Sequence, residues 1–348
     1  MVIETWMSSE TGEIPARAAG QLATAAADYR KGGQMLRALD PPFVATVGRG
    51  SSAHAAVWAR GIVELATGVP VLPLAMSVPS VYGRTLKLGG GACIGVSQSG
   101  RSDDFLAVMS MARGAGATCF ALTNDPDAPV LERDVFELPI AAGPEHAVSA
   151  TKSFTGSLVA FAALVQAWTE DADLAAALDR LAADLERALS RDWTSMFDPL
   201  SSASSVYTIG RGPSLGIAAE AALKLKETCE IHAESYSAAE VLHGPIQLAV
   251  GDLTAIIFAS DDESRASLQT AASRLAAADA TVVVADPRGE MRLESDAGVE
   301  LPVARTGHRW LDSISQITSF YRAVELLARD RGLDPDRPSQ LAKVTRTR

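Results

Sequence analysis

Glu220, Lys224 and Glu227 fall within the run EAALKLKE, and His243 follows in a segment that stops at Gly244-Pro245. At about 100° per residue the three charged side chains share one face of a helix. A carboxylate beside a lysine stays ionised and can accept a proton from carbon. A histidine that is neutral near pH 7 can exchange protons with an oxygen. By spacing alone, the same residues also read as Glu–Lys pairs on a solvated face, each giving a few tenths of a kcal/mol. Lys226 projects about 120° away from Glu220, toward solvent in either reading.

A second set lies in GVSQSGRSDDF at 95–105, where Ser97, Gln98, Ser99 and Ser102 surround Gly100. Hydroxyls and backbone N–H groups at the start of a helix can converge on an anion, aided by the helix dipole. The plain alternative is a turn followed by an N-cap. The stretch is not a P-loop, because no lysine follows the second glycine. GRGSS at 48–52 lacks the third glycine of a dinucleotide fingerprint, but its serines, Ser52 among them, could join the same anion pocket. His232 and His243 fit no metal motif, and Cys229 has no second thiol beside it.

These residues sit on a repeat. FVATVGRG at 43–50 and VYTIGRG at 206–212 place Gly48 and Gly210 162 positions apart. GACIGVS and LTAIIFAS start at 91 and 253, again 162 apart. ATCFALTNDP and ATVVVADP start at 117 and 280, and ELPI and ELPV at 137 and 300, each pair 163 apart. A near-constant offset across four elements indicates duplication. Each half reads as strand, helix, strand, helix, strand, helix, short strand, helix. Apolar strands alternating with helices imply a parallel sheet covered on both faces.

The expected fold is therefore α/β, with two tandem doubly wound parallel-sheet domains of three α/β/α layers. The expected organisation is an N-terminal helical segment at 1–40 and a first domain at 41–190. A second domain at 191–332 and a C-terminal tail at 333–348 follow. Within the N-terminal segment, a helical pattern covers 16–39. In such sheets ligands bind beyond the carboxyl ends of the strands. There the halves differ: where the first has its serines, the second has Asp261, Asp262 and Glu263, which would repel a phosphate. One phosphate site, in the first half, is expected.

A chain of 348 residues with 47% hydrophobic residues can bury a large core. Its net charge of −11 argues against a general nucleic-acid binder. Three cysteines without CxxC spacing suit a reduced, cytoplasmic setting. The N-terminus has no apolar signal core, and no apolar run approaches the roughly 18 residues of a membrane helix.

Taken in order, SQSGRS at 97–102, AVSATKSFT at 147–155, GRG…EAALKLKE…IHAE…AAEVLHGP at 210–245 and QLAKVT at 340–345 resemble the double sugar-isomerase (SIS) domain family. The similarity covers about 30–348. Within that family the chain resembles the isomerase half of glucosamine-6-phosphate synthase and its stand-alone deaminase relatives. The resemblance implies that Ser52, Ser97, Gln98, Ser99 and Ser102 hold a sugar phosphate, and that Val148 and Ala150 line the sugar pocket. It makes Glu227 the base that moves a proton between C2 and C1, positioned by Glu220 and Lys224. It gives His243 a role in opening the pyranose ring, reaching in from the other subunit of a homodimer. It places Lys343, on the tail, at the anomeric end, where it can form a Schiff base with a ketose.

No metal and no other cofactor is implied. The chain opens Met1-Val2 without the nucleophilic cysteine of a glutaminase, and Arg101 stands where the synthase has a glutamate. The expected activity is hydrolytic, isomerising deamination of glucosamine 6-phosphate to fructose 6-phosphate and ammonia. Alternatives are a related amino-sugar or fructosamine 6-phosphate deaminase or deglycase, an ammonia-dependent synthase, or a non-catalytic sugar-phosphate sensor. The partners expected are the substrate and a second copy, with no nucleic acid and no membrane.

Overall fold

The computed structural model describes residues 4–132, 134–203, 205–249, 252–293 and 298–341. Its strands are β1 Val44–Val47, β2 Val71–Pro73, β3 Ala92–Val96, β4 Thr118–Thr123, β5 Phe136–Pro139, β6 Ser205–Gly210, β7 Ala233–Ser237, β8 Leu253–Phe258, β9 Thr281–Asp286 and β10 Val299–Pro302. They form two five-stranded sheets, ordered β2-β1-β3-β4-β5 and β7-β6-β8-β9-β10. Every pairing is parallel. The two orders are the same, strand for strand, so the repeat in sequence is a repeat in topology. Both are the doubly wound 2-1-3-4-5 order, whose switch point lies between the first and third strands.

Central strands are buried along their whole length, as VATV, ACIGV and LTAIIF require when both faces are covered. The third helix expected in each half is absent among the described residues. After β4 only a 3-10 turn, Pro129–Glu132, forms. Four residues opened by a proline are too few for a helix. Conversely, β2 and β7 are edge strands that the apolar pattern did not reveal. VLP is three residues ending in proline, and AESYS is half-exposed and polar. The N-terminal pattern resolves into three helices, Trp6–Gly12, Ile14–Thr24 and Ala26–Leu39.

Contacts group the described residues into two compact units that interleave along the chain. One holds 16–145 and 152–179; the other holds the N-terminal residues up to 15, the loop 146–151, and 180 onward. The second unit thus draws in short segments from outside the second repeat.

In the first unit, Ala45, Val47, Cys93, Cys119 and Ala121 pack with Phe105, Val108 and Met109 of helix Asp103–Gly114. On the other face lies helix Lys152–Thr169, apolar almost all round, which packs on helices Ala26–Leu39 and Ser51–Thr67. A Cβ at Gly33 would come 2.6 Å from the Ala167 backbone, so only glycine permits that helix crossing.

In the second unit the two sheet faces carry different segments. Tyr207, Ile209, Ala255 and Ile257 share a core with Val241 and Ala249 and with helix Arg265–Ala277 through Leu268, Ala271 and Leu275. Thr208, one residue along β6, points to the opposite face and donates its hydroxyl to the Ala218 carbonyl of helix Ser214–Cys229 at 2.7 Å. That helix packs in turn on helix Asp312–Asp330.

Candidate active site

Ser52 lies in the first turn of helix Ser51–Thr67, just past β1. Ser97, Gln98, Ser99 and Ser102 lie between β3 and helix Asp103–Gly114. Strands β1 and β3 are paired, Val47 opposite Gly95, so the two loops emerge side by side at the switch point. Ser97, Gln98 and Ser99 are half-buried and Ser102 is exposed. The loop is held from several sides. Gly100 N–H donates to Ser97 Oγ at 3.1 Å, Ser97 N–H to the Leu122 carbonyl at 3.0 Å, and Asn124 N–H to the Gln98 carbonyl at 3.0 Å.

Gly100 has φ +59°, and a Cβ there would meet Ala128 at 2.7 Å, so this turn requires glycine. Arg101 ion-pairs with Asp125 at 2.7 Å, and its guanidinium holds the Asp125 carboxyl below the usual range. Asp104, buried at the start of its helix, pairs with Arg49 from the GRG turn, which compensates its charge. Sequence reasoning did not pair these residues, which lie 55 positions apart.

The corresponding edge of the second unit is closed by its own ion pairs. Asp261 is bound by Arg288 and, at 2.7 Å, by Arg305, while Glu263 binds Arg309 at 2.8 Å. Asp262 Oδ1 accepts from Ser264 N–H at 2.8 Å. Two of the three acids that distinguish the halves, Asp261 and Glu263, are thus tied to arginines of the same unit.

Helix Ser214–Cys229 carries Glu220, Lys224 and Glu227 on one face, as their spacing requires. The solvated-face reading fails. Glu220 and Lys224 side chains are 0% exposed, and Glu227 retains 20%. Lys224 Nζ lies 3.3 Å from Glu220 and 2.5 Å from Glu227, and Tyr321 OH donates to Glu220 Oε1 at 3.2 Å. Burial works to lower the Lys224 pKa, but the two carboxylates outweigh it and hold the ammonium above its ordinary value. A permanent cation thus anchors two carboxylates, of which Glu227 is the one that reaches solvent. Lys226, one residue earlier, is exposed.

Lys224 and Glu227 lie in the second half of the helix, away from the ligand edge of their own sheet. The helix starts at the C-terminal end of β6 and ends beside its N-terminal end, where Val206 N–H donates to the His232 carbonyl. His243 closes a 3-10 turn, Glu240–His243, beyond β7, and is exposed. Its segment packs on the Tyr207 face of the sheet through Val241 and Ala249. Tyr207 OH donates to the Pro245 carbonyl at 3.0 Å, fixing the turn beside His243. Glu227 and His243 of one chain therefore lie on opposite faces of β6, with the sheet between them.

Val148 and Ala150 are half-buried, alternating with buried Ala147 and Ser149. Their loop is bound to both ends of the described chain. Glu10 accepts from His146 and Ala147 N–H, and Val148 N–H donates to the Asp336 carbonyl at 3.2 Å. The Asp336 carboxylate accepts from Trp6 and Met7 N–H, both at 2.8 Å, capping the first helix. No sequence pattern announced this junction, because its members are more than 100 positions apart. Lys343 lies outside the described residues.

Two copies of one doubly wound unit, with a hydroxyl-rich edge on one and a cation-held carboxylate on the other, define a tandem α/β protein. A model of the SIS domain matches residues 44–167 and 199–329; the chain belongs to the SIS domain family and carries two SIS repeats. It is 30% identical over 309 residues to a glutamine–fructose-6-phosphate aminotransferase (isomerizing) of Sulfurisphaera tokodaii, covering 86% of this chain and 49% of that protein. The chain spans about half the length of the curated relatives it matches.

Among solved structures, a protein assigned as a phosphosugar isomerase from Silicibacter pomeroyi has 42% identity and a TM-score of 0.89, covering 95% of this chain and all of that one. The C-terminal domain of the glucosamine-fructose-6-phosphate aminotransferase of Francisella tularensis shares the fold at 21% identity and a TM-score of 0.84, covering 96% and 98%.

Proposed function

We propose that the protein catalyses isomerising deamination of glucosamine 6-phosphate to fructose 6-phosphate and ammonia, in active sites shared between two copies of the chain. The observation that carries this reading is the buried Glu220–Lys224–Glu227 cluster, which leaves one reachable carboxyl group held beside a cation. Such a group suits proton transfer between adjacent carbons. The relatives support the substrate class: their names describe isomerising chemistry on sugar phosphates.

The phosphate is held by Ser52, Ser97, Gln98, Ser99 and Ser102. Val148 and Ala150 line the sugar chain. His243 of a second copy takes the proton of the anomeric hydroxyl and returns one to the ring oxygen, opening the pyranose. Glu227 removes the C2 proton, giving an enolamine, and returns it to C1. The resulting C2 imine adds water and loses ammonia, leaving the ketose. By the family resemblance Lys343 acts at C1, where it can hold a ketose as a Schiff base. The sheet that separates Glu227 from His243 within one chain supports the two-copy reading.

The test is incubation with glucosamine 6-phosphate while following ammonia and fructose 6-phosphate. Equal release of both is expected. Absence of both at high enzyme concentration overturns the activity. Release only from galactosamine 6-phosphate or a fructosamine 6-phosphate would reassign the substrate.

A further inference from the structure

Gln98 is the residue of the serine loop that reaches across to another element. Its Nε2 donates to Glu145 Oε2 at 3.1 Å. Glu145 is buried, and it also accepts from Ser153, through the backbone N–H at 3.1 Å and the hydroxyl at 2.6 Å. Ser153 is the second residue of helix Lys152–Thr169. Glu145 therefore caps the start of that helix, where the helix dipole favours a negative group. All three residues belong to one compact unit.

An amide side chain has two faces, and its orientation decides whether it presents donors or an acceptor to a neighbour. A carboxylate can only accept, so it compels Gln98 to turn its NH2 group toward Glu145. One N–H is then used and the second, on the same nitrogen, is free to donate elsewhere. An anion needs donors. With the amide reversed, Gln98 would offer its carbonyl oxygen near the anion and repel it.

We infer that Glu145 is a positioning residue for the phosphate grip: it fixes the donor face of Gln98 and locks the serine loop to the start of helix Lys152–Thr169. This rests on the phosphate reading of the serine loop given above. Three features set Glu145 apart from an ordinary helix cap. It is buried, it bonds its helix twice, and it also bonds a candidate phosphate ligand 47 positions away.

The experiment is a double-mutant cycle on the full chain with Glu145→Gln and Gln98→Ala, reading glucosamine 6-phosphate binding by calorimetry, KM and kcat by ammonia release, and thermal midpoint. Glu145→Gln keeps an acceptor for Ser153 but can present an NH2 group to Gln98, removing the constraint. Loss of one orienting hydrogen bond predicts about 3- to 10-fold weaker binding and a matching rise in KM, with kcat within about 2-fold. In the Gln98→Ala background the same change should leave binding unaltered. A merely structural cap would lower the thermal midpoint and the active fraction equally in both backgrounds.

Equal weakening by Glu145→Gln with and without Gln98 overturns the inference, as does wild-type binding in the single variant. If Gln98→Ala alone binds the sugar phosphate as well as wild type, the phosphate role of the loop itself is wrong. That outcome is distinct from one in which Gln98 matters and Glu145 does not. Should Glu145→Gln fold poorly, Ser153→Ala supplies the control: it removes the hydroxyl bond to Glu145 but leaves the Gln98 bond, so KM should hold.

Discussion

Replacing Lys224 by methionine keeps the length of the side chain and removes the cation that lies 3.3 Å from Glu220 and 2.5 Å from Glu227. Glu227 can turn to water, since 20% of its side chain is exposed, but Glu220 is fully buried and loses the ammonium that faces it. Breaking a buried pair by deleting one member costs about 3–5 kcal/mol. For a cooperative unit of roughly 150–250 residues, each kcal/mol moves the midpoint by about 2–4 °C, so a fall of roughly 6–20 °C is expected.

The defect should depend on pH. A buried carboxyl group that has lost its cation favours the neutral form. The penalty is then full at neutral pH and shrinks as pH falls toward the unfolded carboxylate pKa, where the group is protonated in both states. Glu220→Gln added to Lys224→Met should recover much of the stability, because the buried carboxylate is removed together with its cation. Turnover should stay low in both variants, down by at least about 100-fold, since Glu227 has lost its anchor. Scanning calorimetry between pH 5 and 8, paired with ammonia release, reads both effects. A Lys224→Met midpoint within about 2 °C of wild type at pH 7 would refute the buried-anchor reasoning.

Three further outcomes are expected. Glu227→Gln should bind glucosamine 6-phosphate with near wild-type affinity yet lose about 10²–10⁴ in kcat; retained turnover would mean that another group is the base. Tyr207→Phe loses the bond to the Pro245 carbonyl and should cost about 0.5–1.5 kcal/mol of stability, with a lower kcat on the closed pyranose than on an open-chain analogue; equal effects on both would separate Tyr207 from the His243 turn. Asp286 resists burial through Arg265, at 2.5 and 2.7 Å, and through the backbone N–H groups of Arg288, Glu290 and Met291, which together bring its pKa down to about 2. Its folded pKa is depressed, so the stabilisation is present above about pH 4 and is lost as pH falls through about 2. After allowance for solvent screening it amounts to roughly 1–2 kcal/mol, and Asp286→Asn should flatten the acid limb of the stability profile by that amount.

The parallel sheets were legible because their central strands are continuous apolar runs repeated at a fixed offset. VATV, ACIGV and LTAIIF carry that signal; AESYS and VLP do not, being edge strands with one side exposed. Periodicity placed Glu220, Lys224 and Glu227 on one face but was silent on burial. A Glu–Lys face looks the same in sequence whether it meets water or, as here, the helix that supplies Tyr321. The serine loop was readable as small residues around Gly100, whereas Glu145 and Arg49 were not, because their partners lie 47 and 55 positions distant. The separation of Glu227 from His243 depends on the alternation of Tyr207 and Thr208 across β6, which becomes meaningful only once each face has its covering segment.

The sharing of one site by two chains is tested most directly by mixing two inactive variants, Glu227→Gln and His243→Ala, in one cell at equal levels. In a symmetric dimer, half of the assemblies are mixed, and each mixed assembly regains one site with both native residues. Activity should therefore return to roughly a quarter of wild type, while each variant alone stays inactive. Activity no higher than the sum of the two separate variants would contradict the shared site and place Glu227 and His243 in independent roles.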